Sequence, residues 1–161
     1  MPESEIAEGN EAETPVEANE EKFLIFSISG QYYTFPSQYI GEIALYDAVY
    51  PLPLMPVYIP GVINRYSIPY ALFDIGLLMS NTPSTRSKVL VLKDSIDRIA
   101  FLIDDVISLA DIPKDCVLGI DRTGETHDAT EMVSASFSWS GSNVFLLDIQ
   151  RILARVSADV V

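Results

Sequence analysis

Residues 23–35 read FLIFSIS, then Gly30-Gln31, then YYTF. Two short runs of β-branched and aromatic residues flank a turn, the signature of a β-hairpin. The same grammar continues downstream. Residues 39–46 form another strand-like run, and Val62-Ile63 and residues 70–73 flank a second turn. Residues 88–93 and 98–106 make a second hairpin about residues 94–97, and residues 144–147 a late strand. Between the early strands lies PLPLMP at 51–56, an extended or turning connector, because each proline restricts its own φ and its predecessor. A chain punctuated this way is all-β.

Two short helices interrupt the pattern. Asp148 is a good N-cap, since its carboxylate accepts the free amide hydrogens of a first turn. After it, Ile149, Ile152, Leu153 and Val156 recur at helical spacing, leaving Arg151 and Arg155 on the wet side. The same design stands 74 residues earlier, where a strand leads to Asp74, Ile75 and the pair Leu78-Met79. This recurrence points to two similar small β-subdomains, each closed by a short helix. The polar segment SNTPSTRS at 80–87 reads as the linker between them.

Charge divides the chain. There are 23 acidic and 10 basic residues, a formal net charge of −13. Residues 1–21 hold eight glutamates and no basic residue, leaving −5 of the −13 for everything else. With only isolated apolar residues, that segment cannot bury enough surface to offset its ordering entropy and reads as a disordered acidic tail. The acidic balance excludes nucleic acid as a partner and a polybasic membrane patch. Cys116 is the only cysteine, so no internal disulfide forms and a reducing compartment is expected. No apolar run approaches the ~18 residues of a membrane span, and the N-terminus is acidic where a signal peptide is basic. The expected location is cytoplasmic, without direct membrane insertion.

Catalytic chemistry finds little support. His127 is the only histidine, in a polar loop with no ligand-spaced cysteine or second histidine, so no zinc site is expected. Cys116 reads as a small structural hydrophobe. Asp104 and Asp105 are adjacent, and neighbours on a strand point to opposite faces, so they share neither proton nor metal. No phosphate-binding glycine loop or nucleophile elbow occurs. No cofactor and no enzymatic activity are expected. The concentrated feature is tyrosine: all eight lie within 39 consecutive residues, from Tyr32 to Tyr70. Tyr32 and Tyr33 are adjacent and face opposite sides of a strand, which leaves at least one outward. Tyrosine gathers at interfaces because it joins apolar area to low rotamer entropy and a polar tip. The first half is therefore the place to look for a partner.

In order and spacing, residues 23–35, the run Tyr39-Ile40-Gly41-Glu42-Ile43, Pro51-Leu52-Pro53, Gly61-Val62-Ile63-Asn64 and Asp74-Ile75 resemble the CheW-like domain, with RIAFLIDDV at 98–106 and Leu146-Leu147-Asp148 completing the set. The resemblance covers residues 22–156, leaving 157–161 as a C-terminal tail. It implies two five-stranded SH3-like β-barrels side by side and a non-enzymatic chemotaxis adaptor. Members link the cytoplasmic tips of chemoreceptors to the regulatory domain of a CheA-type histidine kinase, itself CheW-like, so other CheW-like domains are further candidate partners. Recruitment to receptor arrays at the inner membrane goes with that role. Ile40 and Glu42 match positions near the contact surfaces, and Asn64 opens the family's characteristic turn. That turn reads Asn-Leu-Arg-Gly in the family. Here Arg65, Tyr66 and Ser67 follow Asn64, with Ala71 where proline is usual. Candidate protein-binding residues are thus Ile40, Glu42, Asn64, Arg65, Tyr66 and Ser67. The residues alone leave open a different β-barrel recognition module, binding a peptide or small ligand in a groove between barrels.

Overall fold

A computed structural model describes residues 19–45, 48–80, 82–83, 88–93, 97–120 and 129–160. The acidic residues 1–18, His127 with its loop, Tyr46 and most of segment 80–87 lie outside the described residues.

Among the described residues, eleven strands form two sheets. The first hairpin is β1 (Glu20–Ile28) with β2 (Gln31–Pro36). Its turn is Ser29-Gly30, one residue earlier than the sequence reading placed it, because these two residues take the left-handed region (φ 52° and 81°) that a two-residue hairpin requires. The chain then builds β3 (Ile40–Leu45), β4 (Gly61–Arg65) and β5 (Ile68–Asp74), helix α1 (Ile75–Ser80), and the second hairpin, β6 (Lys88–Leu92) with β7 (Ile99–Ile103). It returns to the first sheet as β8 (Asp105–Pro113), β9 (Leu118–Gly119), β10 (Val133–Trp139), β11 (Ser142–Leu147) and helix α2 (Ile149–Val160).

The strand orders are β8-β1-β2-β11-β10-β9 and β3-β6-β7-β5-β4. Setting aside the two-residue β9, which makes the first sheet six-stranded rather than five, the orders superpose. Each sheet has an edge strand, a hairpin, then a parallel neighbour that leads into a helix: β11 on β2 before α2, and β5 on β7 before α1. The 74-residue repeat of strand, aspartate and helix is this shared plan. Two details differ from the sequence reading. The segment 80–87 joins α1 to β6 inside the second sheet instead of separating the halves. The first sheet is assembled from both ends of the chain around a contiguous second sheet.

Three apolar cores result among the described residues. Phe26, Phe35 and Leu24 of the first sheet meet Phe73, Leu90, Phe101 and Ile103 of the second in a shared core that includes Ile75 and Ile152. The rings of Phe35 and Phe101 stack across it at 5.3 Å. A smaller core inside the second sheet holds Ile63, Leu72, Val89 and Leu102, and another inside the first holds Phe23, Ile25, Phe137 and Val144. Because β6 and β7 face apolar neighbours on both sides, KVLVL and IAFLI are buried almost throughout.

Termini and strand breaks also shift. Glu20 and Glu21, read as tail, pair with Pro113 and Ile112 in β1. Residues 157–160, read as a C-terminal tail, continue α2. The run 98–106 is two strands broken at Asp104, whose carboxylate accepts the Ser29 amide hydrogen at 2.7 Å, while Asp105 pairs with Lys88 at 2.9 Å. The two aspartates therefore diverge, as their adjacency requires. Cys116 is exposed in a short 3-10 turn, not packed as a hydrophobe. Tyr33 is buried and Tyr32 half-buried beside Trp139, so neither stands free; among the described residues the exposed tyrosines are Tyr39, Tyr50 and Tyr66.

Candidate functional site

The site grows from the way the second sheet ends. Its edge strands, β3 and β4, stand at opposite ends of the hydrogen-bonded order, yet the sheet curls until they face each other. Glu42 on β3 lies opposite Val91, and Arg65 on β4 is two residues from Ile63. Val91 and Ile63 both belong to the inner core, and strand side chains alternate faces, so Glu42 and Arg65 project over that core. There they meet in a fork, Nε to Oε1 at 3.1 Å and Nη2 to Oε2 at 2.9 Å. Both side chains are about two-thirds withdrawn from water, at 27% and 31% exposure. The fork clasps the two edges where, among the described residues, no backbone ladder joins them. Its bond to the carboxylate is the main reason the guanidinium holds its proton above the ordinary arginine value.

Beyond Arg65 the chain reverses. Tyr66 and Ser67 form the two-residue turn between Arg65 and Ile68, both left-handed at φ 53° and 66°. This geometry lifts Tyr66 off the sheet to 81% exposure, with the Arg65 guanidinium 5.2 Å from its ring centroid. Asn64 and Ser67 are exposed on either side. Four of the six candidate residues thus form one short ridge on β4 and its turn, and Glu42 joins it through the fork. Ile40 does not: it pairs with Leu92 and packs toward the shared core.

Sequence reasoning missed a border of this face. Between β3 and β4 runs a shallow groove lined by Leu45, Tyr50, Ile63, Asn64 and Arg65. Tyr50 is bridged to Val62 by reciprocal backbone bonds of 2.8 and 2.9 Å. The close approach needs Gly61, where a Cβ would stand 2.2 Å from the Tyr50 carbonyl oxygen. Tyr50, Leu45 and, further along, Leu54 and Val57 are exposed. The alternation of β3 carried that signal for Leu45. The proline-rich connector carried none beyond its apolar composition.

A larger hollow, about 360 Å³, lies over the start of α2 between Pro36, Tyr39, Leu146, Asp148 and Gln150. Among the described residues Asp148 is its only charged lining residue, and its carboxylate is committed to the helix, accepting from the amides of Gln150 and Arg151 at 3.0 and 3.2 Å. Among the described residues no three histidine, cysteine or carboxylate groups sit together as metal ligands, and no helix is long and apolar enough to cross a membrane.

Comparison with known proteins is consistent with this architecture. The crystal structure of the scaffolding protein TtCheW from Thermoanaerobacter tengcongensis superposes with a TM-score of 0.71 at 15% identity, over 80% of this chain and 89% of that one. No curated protein sequence matches significantly. The family model of the CheW-like domain matches residues 22–157. The chain belongs to the CheW-like domain family.

Proposed function

We propose that this protein is a non-enzymatic adaptor of chemosensory signalling. It couples the cytoplasmic tip of a chemoreceptor to the regulatory domain of a CheA-type histidine kinase, working in the cytoplasm and recruited to receptor arrays at the inner membrane. Membership of the CheW-like family over residues 22–157 carries this reading. The β3–β4 face is the surface we assign to partner contact, with Asn64, Arg65, Tyr66 and Ser67 at its ridge, Glu42 beneath it and Ile40 supporting it from the core side.

The chemistry of that face specifies how it binds. Glu42 and Arg65 already satisfy each other, so neither brings an unspent charge to a partner. Tyr66 supplies area and one hydroxyl. Docking is therefore apolar in character, and Tyr66→Ala is expected to weaken binding by about 1–3 kcal/mol, the range of an interface hot spot. Affinity should change little with salt, because no strong intermolecular ion pair is screened. Calorimetric titration against a CheA-type regulatory domain and a receptor-tip fragment, at low and high salt, tests this. Binding that collapses at high salt and survives Tyr66→Ala would move the contact to charged groups. Absence of binding to both partners would sink the adaptor reading.

A further inference from the structure

Helix α2 runs one turn further than its packing explains. Its apolar face, Ile149, Ile152 and Val156, packs into the shared core, and residues 157–160 beyond it are all exposed. The last turn of a helix has carbonyls without intrahelical partners and frays unless something else holds it. Local chemistry here is adverse as well. Asp159 puts a negative charge at the end of the helix, where the free carbonyl oxygens already concentrate negative potential. Its ion pair with Arg155, at 3.1 Å, has the base ahead of the acid, the weaker of the two orders at this spacing. Aspartate is also a poorer helix former than alanine.

What compensates comes from the other sheet. Tyr58, near the end of the β3–β4 connection, has its ring buried in the shared core. Its carbonyl accepts the Asp74 amide hydrogen at 2.8 Å, which fixes it to the end of β5. Its hydroxyl donates to Asp159 Oδ2 at 2.5 Å, the same oxygen that takes the Arg155 Nε hydrogen. Arg155 in turn reaches Glu131 at 3.6 Å, in the 3-10 turn that precedes β10. Burial first, and then the carboxylate it faces, push the Tyr58 hydroxyl well above its ordinary pKa, so it stays a donor. The bond from Tyr58, and then that from Arg155, holds the Asp159 carboxyl below its ordinary value, so it stays an acceptor.

We infer that Tyr58 and Asp159 form a latch between the two sheets: the last turn of α2, carried by the first sheet, is helical only while Tyr58 is seated in the shared core. The aspartate stands against local helix chemistry because its bonding partner lies 101 residues away, on the second sheet. An opening of the seam between the sheets that withdraws Tyr58 therefore unwinds residues 157–160. Helix α2 then shortens to the length its apolar face supports.

The latch predicts a reversal of sign, read by hydrogen exchange on the full chain. Without it, Asp159→Ala would improve the last turn in any setting, since it removes the adverse charge and supplies a better helix former. With it, Asp159→Ala in the otherwise unaltered protein is expected to lower the protection of amides 157–160 about fivefold. Tyr58→Phe, which keeps the buried ring, should lower it by a similar factor and leave Ile99–Ile103 unchanged. On the Tyr58→Phe background, Asp159→Ala is expected to raise protection about twofold instead. Protection that rises on Asp159→Ala with Tyr58 present, or that Tyr58→Phe leaves unmoved, overturns the latch. So does an equal loss at Ile99–Ile103, the mark of a general fall in stability. A further fall on Asp159→Ala in the Tyr58→Phe background overturns it too, because Arg155 would then be the partner that matters.

Discussion

Among the described residues, three hairpins close with two-residue turns whose residues are all left-handed. In the six-stranded sheet the turns are Ser29-Gly30 and Ser140-Gly141, and in the five-stranded sheet the turn is Tyr66-Ser67. The backbone demand is the same in all three, but only the first two meet it with glycine. A side chain in the left-handed region costs roughly 1–2 kcal/mol per residue, less for short polar residues that bond locally. The five-stranded sheet accepts that strain at the spot where an aromatic ring is thrust into water beside a neutralised ion pair. Departures from good local chemistry concentrate at functional positions. Each turn of the six-stranded sheet places one glycine beside its serine, and the five-stranded sheet carries the exposed ridge.

The helix caps repeat the contrast. Asp148 caps α2 in a partly exposed setting with Arg151 3.5 Å away, whereas Asp74, its counterpart before α1, is fully buried and accepts the Leu77 amide hydrogen at 3.3 Å. Burial raises the stakes of the same residue. Asp74→Ala is expected to destabilise the protein by about 2–3 kcal/mol, because it removes the cap and leaves a void where a fully buried side chain stood. Asp148→Ala should cost about 1 kcal/mol. Urea unfolding midpoints of the two variants measure the gap, and equal losses would break the comparison.

The clasp comes next in size. A double-mutant cycle on Glu42 and Arg65 should return a coupling of about 1 kcal/mol, above the median of exposed pairs because the fork is bidentate and largely withdrawn from water. A coupling near zero would mean that the curl of the second sheet rests on its inner core alone. The smallest effect is the most diagnostic. Ser67→Gly should stabilise by about 0.5–1 kcal/mol, and Gly141→Ser should destabilise by a similar amount. If Ser67→Gly also weakens partner binding, the strained turn holds Tyr66 in place for docking. If binding is unchanged, the strain is incidental.

What the sequence made legible follows from range. Both hairpins, the Asp148 cap and the face of Ile149, Ile152 and Val156 depend on residues within a few positions of one another, and all are present. β8 and β10 were not legible. In β8 only Ile112 is buried, so DVISLADIP offers little hydrophobic contrast. β10 alternates cleanly, Val133, Ala135 and Phe137 inward, but its outward residues are serines and its inward ones partly small, which mutes the signal. The Tyr58–Asp159 bond joins residues 101 apart, and no local pattern announces it. At the candidate site the turn was found through its departure from a family pattern. The Glu42–Arg65 fork could be read only once the curl of the sheet had brought β3 to β4.

The interleaved order of the two sheets has a consequence for how the protein is made. The β1–β2 hairpin leaves the ribosome first, yet Tyr32 pairs with Val144, 112 residues further along the chain. The five-stranded sheet, contiguous from Ile40 to Ile103, can pair completely in the meantime. During synthesis the first hairpin therefore waits with both edges open, Phe23, Phe26 and Phe35 among its side chains, until β8 and β11 arrive. Long-range pairing of this kind is slow and leaves strand edges available to the wrong partner. A circular permutant that opens the chain between β2 and β3 and joins residue 160 to residue 19 would make each sheet contiguous and remove the wait.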